Sequence, residues 1–155
     1  MGNATALLDE ELICMDCKAK GRQELLRDLA GLLYEKGYVK DGYADAIWER
    51  EEQFPTGLAT KGIQVAIPHT DAKFVNKPAI LVAKLKKPVV FKEMGSEDKE
   101  VEASMVFMLA LNSHDEQLDA LSKLTEVFSD ESVLRNLYSA PTAFELLARL
   151  KIILG

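Results

Sequence analysis

Gly62-Ile63-Gln64-Val65-Ala66-Ile67-Pro68-His69 is the stretch on which the reading of the chain turns. Residues 63–67 have the short, β-branched composition of a strand. Pro68 ends it, because proline fixes its own φ and has no N–H to give to a ladder. His69 therefore stands at a strand end, its imidazole carried on a stiffened backbone. Active sites of α/β folds gather at strand ends, so His69 is the first candidate for chemistry. The alternative is an ordinary polar group satisfied by its neighbours.

Upstream, Leu25, Leu26, Leu29, Leu32 and Leu33 recur at helical spacing, and Gly37 follows as a C-cap, predicting a helix over 23–36. A second helix is expected from Asp41, its capping residue, with Tyr43, Ile47 and Trp48 on its apolar side. It carries charge through EREEQ and stops at the loop Phe54-Pro55-Thr56-Gly57. Near the start, Leu12-Ile13-Cys14-Met15 reads as a strand. Downstream, strands are predicted at 79–84 and 101–111, a weaker one at 89–91, and a polar turn at 95–98. A long helix begins near Asp115 with Leu118, Leu121, Leu124 and Phe128 on one stripe. Asp130 opens a short helix containing Val133, Leu134 and Leu137. Pro141 opens the last, with Phe144, Leu147 and Leu150 in step. Strands and helices interleave without a linker or repeat. The expected architecture is α/β, a single-domain sandwich over residues 1–155 with a mixed central sheet flanked by helices.

The 155 residues, 48% hydrophobic and 28% charged, suit one globular core. A formal net charge of −6 with dispersed basic residues argues against a nucleic-acid partner, which needs a basic face to displace phosphate counterions. No apolar run reaches the roughly 20 residues that span a bilayer. The opening MGNATALLDEELICMDC lacks the basic and apolar segments of a signal peptide. A cytoplasmic location is expected. No Walker loop, acidic metal cluster or dinucleotide fingerprint occurs, so no cofactor is expected.

Cys14 and Cys17 form a CxxC spacing, which serves redox chemistry or half a zinc site. A thioredoxin-like pair starts a helix, whereas this one sits in a strand. The remaining soft ligands, His69 and His114, are far apart in sequence. Two reduced thiols in a structural or surface role are the simpler reading.

Arg50 lies near the end of the second helix, among Glu49, Glu51 and Glu52. An arginine meets phosphate with two parallel charge-assisted hydrogen bonds, and the hydroxyl and N–H groups of the Thr56 loop are suited to phosphate oxygens. The alternative makes Arg50 one charge on a solvated helix face. His114, among Asn112, Ser113 and Asp115, reads as a solvated or helix-starting residue. Asp115 and Glu116 read as acids favoured at a helix N-terminus.

The stretch WEREEQFPTGLATKGIQVAIPH, residues 48–69, resembles the signature of the fructose and mannitol superfamily of phosphotransferase-system A components. In that family an RE pair, a threonine-glycine loop and a G-I-x-x-A-I-P-H segment occur in this order. MVFMLAL, NSHDEQ, LDALSKL and FSDESVLRNL continue the likeness downstream. The resemblance implies that His69 is the phosphorylated residue and Arg50 an active-site residue. The second active-site histidine of many members corresponds to Gln117, while His114 lies three residues too early. Glutamine at this place and the QFPTG loop resemble the galactitol branch. The implied role is a phosphocarrier that takes a phosphoryl group from phospho-HPr and gives it to a cysteine of EIIB. Arg50, Thr56 and Gln117 would attend His69, and the membrane component EIIC would be met only through EIIB. A regulatory protein with the same site, and a metal or redox module built on Cys14 and Cys17, are the alternatives.

Overall fold

A computed structural model describes residues 4–96 and 98–154. Residues 1–3 of the opening segment and Glu97 of the expected turn lie outside the described residues. The strands are β1 (Ile13–Cys17), β2 (Gly57–Leu58), β3 (Gln64–Ala66), β4 (Ala79–Lys92) and β5 (Glu100–Ala110). The α-helices are α1 (Arg22–Glu35), α2 (Tyr43–Gln53), α3 (His114–Phe128), α4 (Glu131–Tyr138) and α5 (Ala143–Leu154). The sheet order is β1-β4-β5-β3-β2. Parallel pairs β1/β4 and β3/β5 combine with antiparallel pairs β4/β5 and β2/β3, giving the expected mixed sheet.

Alternation along the central strands divides the core between two faces. Leu81, Ala83 and Leu85 of β4, with Val106, Met108 and Ala110 of β5, pack against α1 and α2. Ile80 and Val82, with Met105, Phe107 and Leu109, pack against α3, α4 and α5. Helices therefore cover both faces, as a central strand apolar on both sides requires.

Several expectations are corrected. The strands predicted at 79–84 and 89–91 are one strand, β4, whose pairing with β5 is irregular between Lys84 and Val89. Pro88 lies in that interval, and a residue without an N–H is accommodated where ladder pairing lapses. The cap of α2 is Gly42, not Asp41: Gly42 adopts φ 97°, and no side chain caps the helix. Glycine takes that left-handed conformation without steric cost. Two stripe assignments also fail. Leu118 is 54% exposed and Phe144 66% exposed; α5 buries Leu150 as expected, together with Leu146 and Leu154. The helix start at Asp130 holds, its side chain accepting from two backbone N–H groups of the first turn; the long helix, expected from near Asp115, begins at His114, and Ser113 caps it by accepting from the Glu116 N–H.

Candidate active site

The exit from β3 is held by its neighbours on both sides. The Ile67 N–H donates to the Thr56 carbonyl at 3.2 Å and the Leu109 N–H to the Pro68 carbonyl at 2.9 Å. The Leu109 carbonyl in turn accepts the hydroxyl of buried Tyr43 at 2.8 Å. Tyr43 opens α2 and Arg50 lies seven residues on, two turns along the same helix. One β5 residue thus fixes both the segment that carries His69 and the helix that carries Arg50. This hydrogen bond was not legible in the sequence, where Tyr43 counted only as an apolar helix position.

His69 is half-buried, and its Nδ1 lies 2.9 Å from the Ile67 carbonyl. A carbonyl only accepts, so this contact places the proton on Nδ1 and leaves the lone pair on Nε2. Burial lowers the His69 pKa from its ordinary value. The Ile67 hydrogen bond opposes that shift and the Arg50 guanidinium adds to it. The result is a neutral imidazole with a defined tautomer and a nucleophilic Nε2.

Arg50, His69 and Gln117, which are distant in sequence, line one open cleft of about 420 Å³ together with Thr70, Asp71, Ala72, His114, Leu118 and Leu121. Arg50 is exposed and stacks over the Phe54 ring at 5.1 Å. No carboxylate pairs with it among the described residues. A guanidinium free of ionic partners beside a neutral imidazole favours an incoming phosphoryl group. The Gln117 amide donates to the Thr70 carbonyl at 2.9 Å, so it holds the segment immediately after His69. His114 begins α3 as expected, yet it also lines the cleft. One helical turn separates it from Gln117, which puts the two on the same side of α3.

Thr56 does not take the role expected of it. It is 2% exposed and is absent from the cleft lining. Its N–H and hydroxyl donate to the two oxygens of Glu51, each at 2.7 Å. Those donors are occupied, so they are not free for phosphate. Glu51, grouped from sequence with the solvated acids around Arg50, is itself only 2% exposed. The signal for this was present: Tyr43, Ile47 and Glu51 are spaced by four, which continues the buried face of α2. The adjoining Gly57 has no room for a side chain, since a Cβ there would lie 2.5 Å from the Lys92 carbonyl oxygen.

Burial pushes the Glu51 carboxyl up to about 7, against the two Thr56 hydrogen bonds and the Arg22 charge, which lower it. The folded chain then binds this proton more tightly than the unfolded chain, whose glutamate titrates at about 4.3. Stability from this group is fully present below the unfolded value and is lost as pH rises through the folded value. The loss is on the order of 3 kcal/mol. Denaturation across that window should show Glu51→Gln losing less stability with rising pH than the parent. Identical pH dependences would mean that Glu51 is not the titrating group.

Residues 6–152 match the family described as phosphoenolpyruvate-dependent sugar phosphotransferase system, EIIA 2. The chain is 37% identical to the transcriptional regulator ManR of Bacillus subtilis over 79% of this chain and 17% of ManR. It is 28% identical to the galactitol-specific EIIA component of Escherichia coli K12 over 77% of this chain and 79% of that one. Several of the curated relatives are much longer proteins, of which the chain spans 17% to 34%. Among solved structures, it superposes with a TM-score of 0.73 and 28% identity on a chain of the complex of enzyme IIAMTL and phosphorylated enzyme IIBMTL from Escherichia coli. That match covers 92% of this chain and 96% of the other. The chain belongs to the EIIA 2 family of the sugar phosphotransferase system.

Proposed function

We propose that the chain is a cytoplasmic phosphocarrier that accepts a phosphoryl group on His69 Nε2 from phospho-HPr and donates it to a cysteine of a cognate EIIB, in galactitol uptake. The observation that carries this reading is the imidazole itself: Nδ1 is tied to Ile67, Nε2 has no hydrogen-bond partner among the described residues, and Arg50, without a carboxylate partner among them, lines the same cleft. As Nε2 attacks phosphorus, the P–N bond of the donor breaks and a new one forms. The ring gains positive charge, which the Nδ1–H donor shares with the Ile67 carbonyl, while Arg50 faces the charge on the phosphoryl oxygens. Such transfer depends on positioning and electrostatics more than on covalent assistance. In the second step the EIIB thiolate attacks phosphorus, and the lone pair returns to Nε2.

Gln117, which corresponds to the second active-site histidine of many family members, acts by holding Thr70. Leu118, 54% exposed at the cleft, and Phe54, 59% exposed beneath Arg50, supply apolar surface for the partner proteins. The similarity to a galactitol-specific component supports the choice of polyol. The similarity to the regulator ManR favours a second reading, a regulatory domain with the same phosphorylation site. Loading the chain from phospho-HPr and offering it galactitol-type and mannitol-type EIIB distinguishes them. The expected result is preferential delivery to the galactitol-type EIIB; a chain that becomes phosphorylated but delivers to no EIIB is a regulator.

A further inference from the structure

Cys14 and Cys17 lie on β1, the edge strand that pairs in parallel with β4. In a regular strand, residues three apart point to opposite faces. Here Cys14 pairs with Ala83 and Cys17 with Leu85, so three steps along β1 match two along β4. The extra residue is a bulge, and it brings both cysteines to one face, where they pack at the margin of the core beneath α1 and α2. Their Sγ atoms are 2.9 Å apart, within about 1 Å of the ~2.05 Å covalent S–S bond. Both thiols are free and only half-buried.

We propose that Cys14 and Cys17 form a reversible dithiol–disulfide pair, a redox modification site on the far edge of the sheet from the phosphoryl cleft. Strands β4 and β5 separate β1 from β3, a distance of roughly 14 Å at ordinary strand spacing. The Sγ–Sγ hydrogen bond lowers the Cys14 thiol to about 7, while the same contact pushes the Cys17 thiol up. Cys14 is thus the attacking thiolate. With hydrogen peroxide as oxidant, the Cys14 thiolate attacks one oxygen, the O–O bond breaks, and hydroxide leaves to become water, giving a sulfenic acid. Cys17 sulfur then attacks Cys14 sulfur; the S–S bond forms, the S–O bond breaks, and a second water leaves with the Cys17 proton. The two sulfurs together lose two electrons, and one peroxide is reduced to two waters. A dithiol reductant reverses the step. A disulfide suits the geometry better than a metal, since among the described residues no group of three or more His, Cys, Asp or Glu side chains is placed to hold an ion.

The test is peptide-level mass spectrometry of the whole chain, reduced, then exposed to limiting hydrogen peroxide. The expected product is a Cys14–Cys17 peptide lighter by two hydrogens, restored by dithiothreitol and formed at least about tenfold faster in the folded chain than in urea, because the fold holds the two sulfurs together. In Cys17→Ser, Cys14 should stop at a sulfenic acid that dimedone traps. Oxygen gain at either cysteine of the parent without loss of two hydrogens overturns the proposal. So does equal disulfide formation in folded and denatured chains.

Discussion

His69→Ala is expected to abolish labelling by phosphorylated HPr, whereas His114→Ala keeps most of it. Both histidines line the cleft, but of the two only His69 has a ring nitrogen hydrogen-bonded to a backbone carbonyl among the described residues; burial lowers the His69 pKa. That bond fixes which nitrogen is nucleophilic, and the shift keeps it unprotonated near neutral pH. His114 is exposed at the first position of α3, with no hydrogen bond among the described residues to select a tautomer. The label on the parent chain should be acid-labile and base-stable, as a P–N bond is. Circular dichroism establishes that the His69→Ala chain is folded. Stoichiometric label on that folded chain would move the acceptor to His114 and overturn the assignment.

Arg50→Ala should slow phosphoryl transfer by about 10²-fold, the equivalent of roughly 3 kcal/mol of transition-state stabilisation. The side chain is exposed, stacks on Phe54 and has no carboxylate partner among the described residues. Its removal should therefore change stability little, as at most surface positions. Arg50→Lys should recover only part of the rate, since an ammonium retains the charge but not the planar pair of donors. Stopped transfer kinetics with phospho-HPr, alongside denaturant midpoints, separates the two effects. Unchanged kinetics in Arg50→Ala would return this residue to the solvated helix face.

What the sequence determined by itself was local. Pro68 ends a β-branched run and leaves His69 at a strand exit, Asp130 caps a helix, and the leucines of α1 fall on one stripe, because each depends on neighbours a few residues away. The order of motifs from Trp48 to His69 also identified the family. Other assignments failed where tertiary contacts outweigh local pattern. Leu118 and Phe144 have the spacing of buried residues, yet their helices turn them outward, because spacing defines a stripe without fixing its limits. The roles of Glu51 and Thr56 reversed for a related reason. A carboxyl on the buried side of α2 needs a donor set, and Thr56 supplies it, leaving the Thr56 N–H and hydroxyl occupied. The bulge that brings Cys14 and Cys17 together exists only in the register between β1 and β4. The meeting of Arg50 with His69 likewise required tertiary structure: Tyr43 and Pro68 are joined through Leu109, a residue from the other side of the chain's sequence that supplies backbone hydrogen-bonding groups to both. Backbone donors and acceptors are the same in every residue, so the sequence does not encode which pair will meet; the packed sheet decides it.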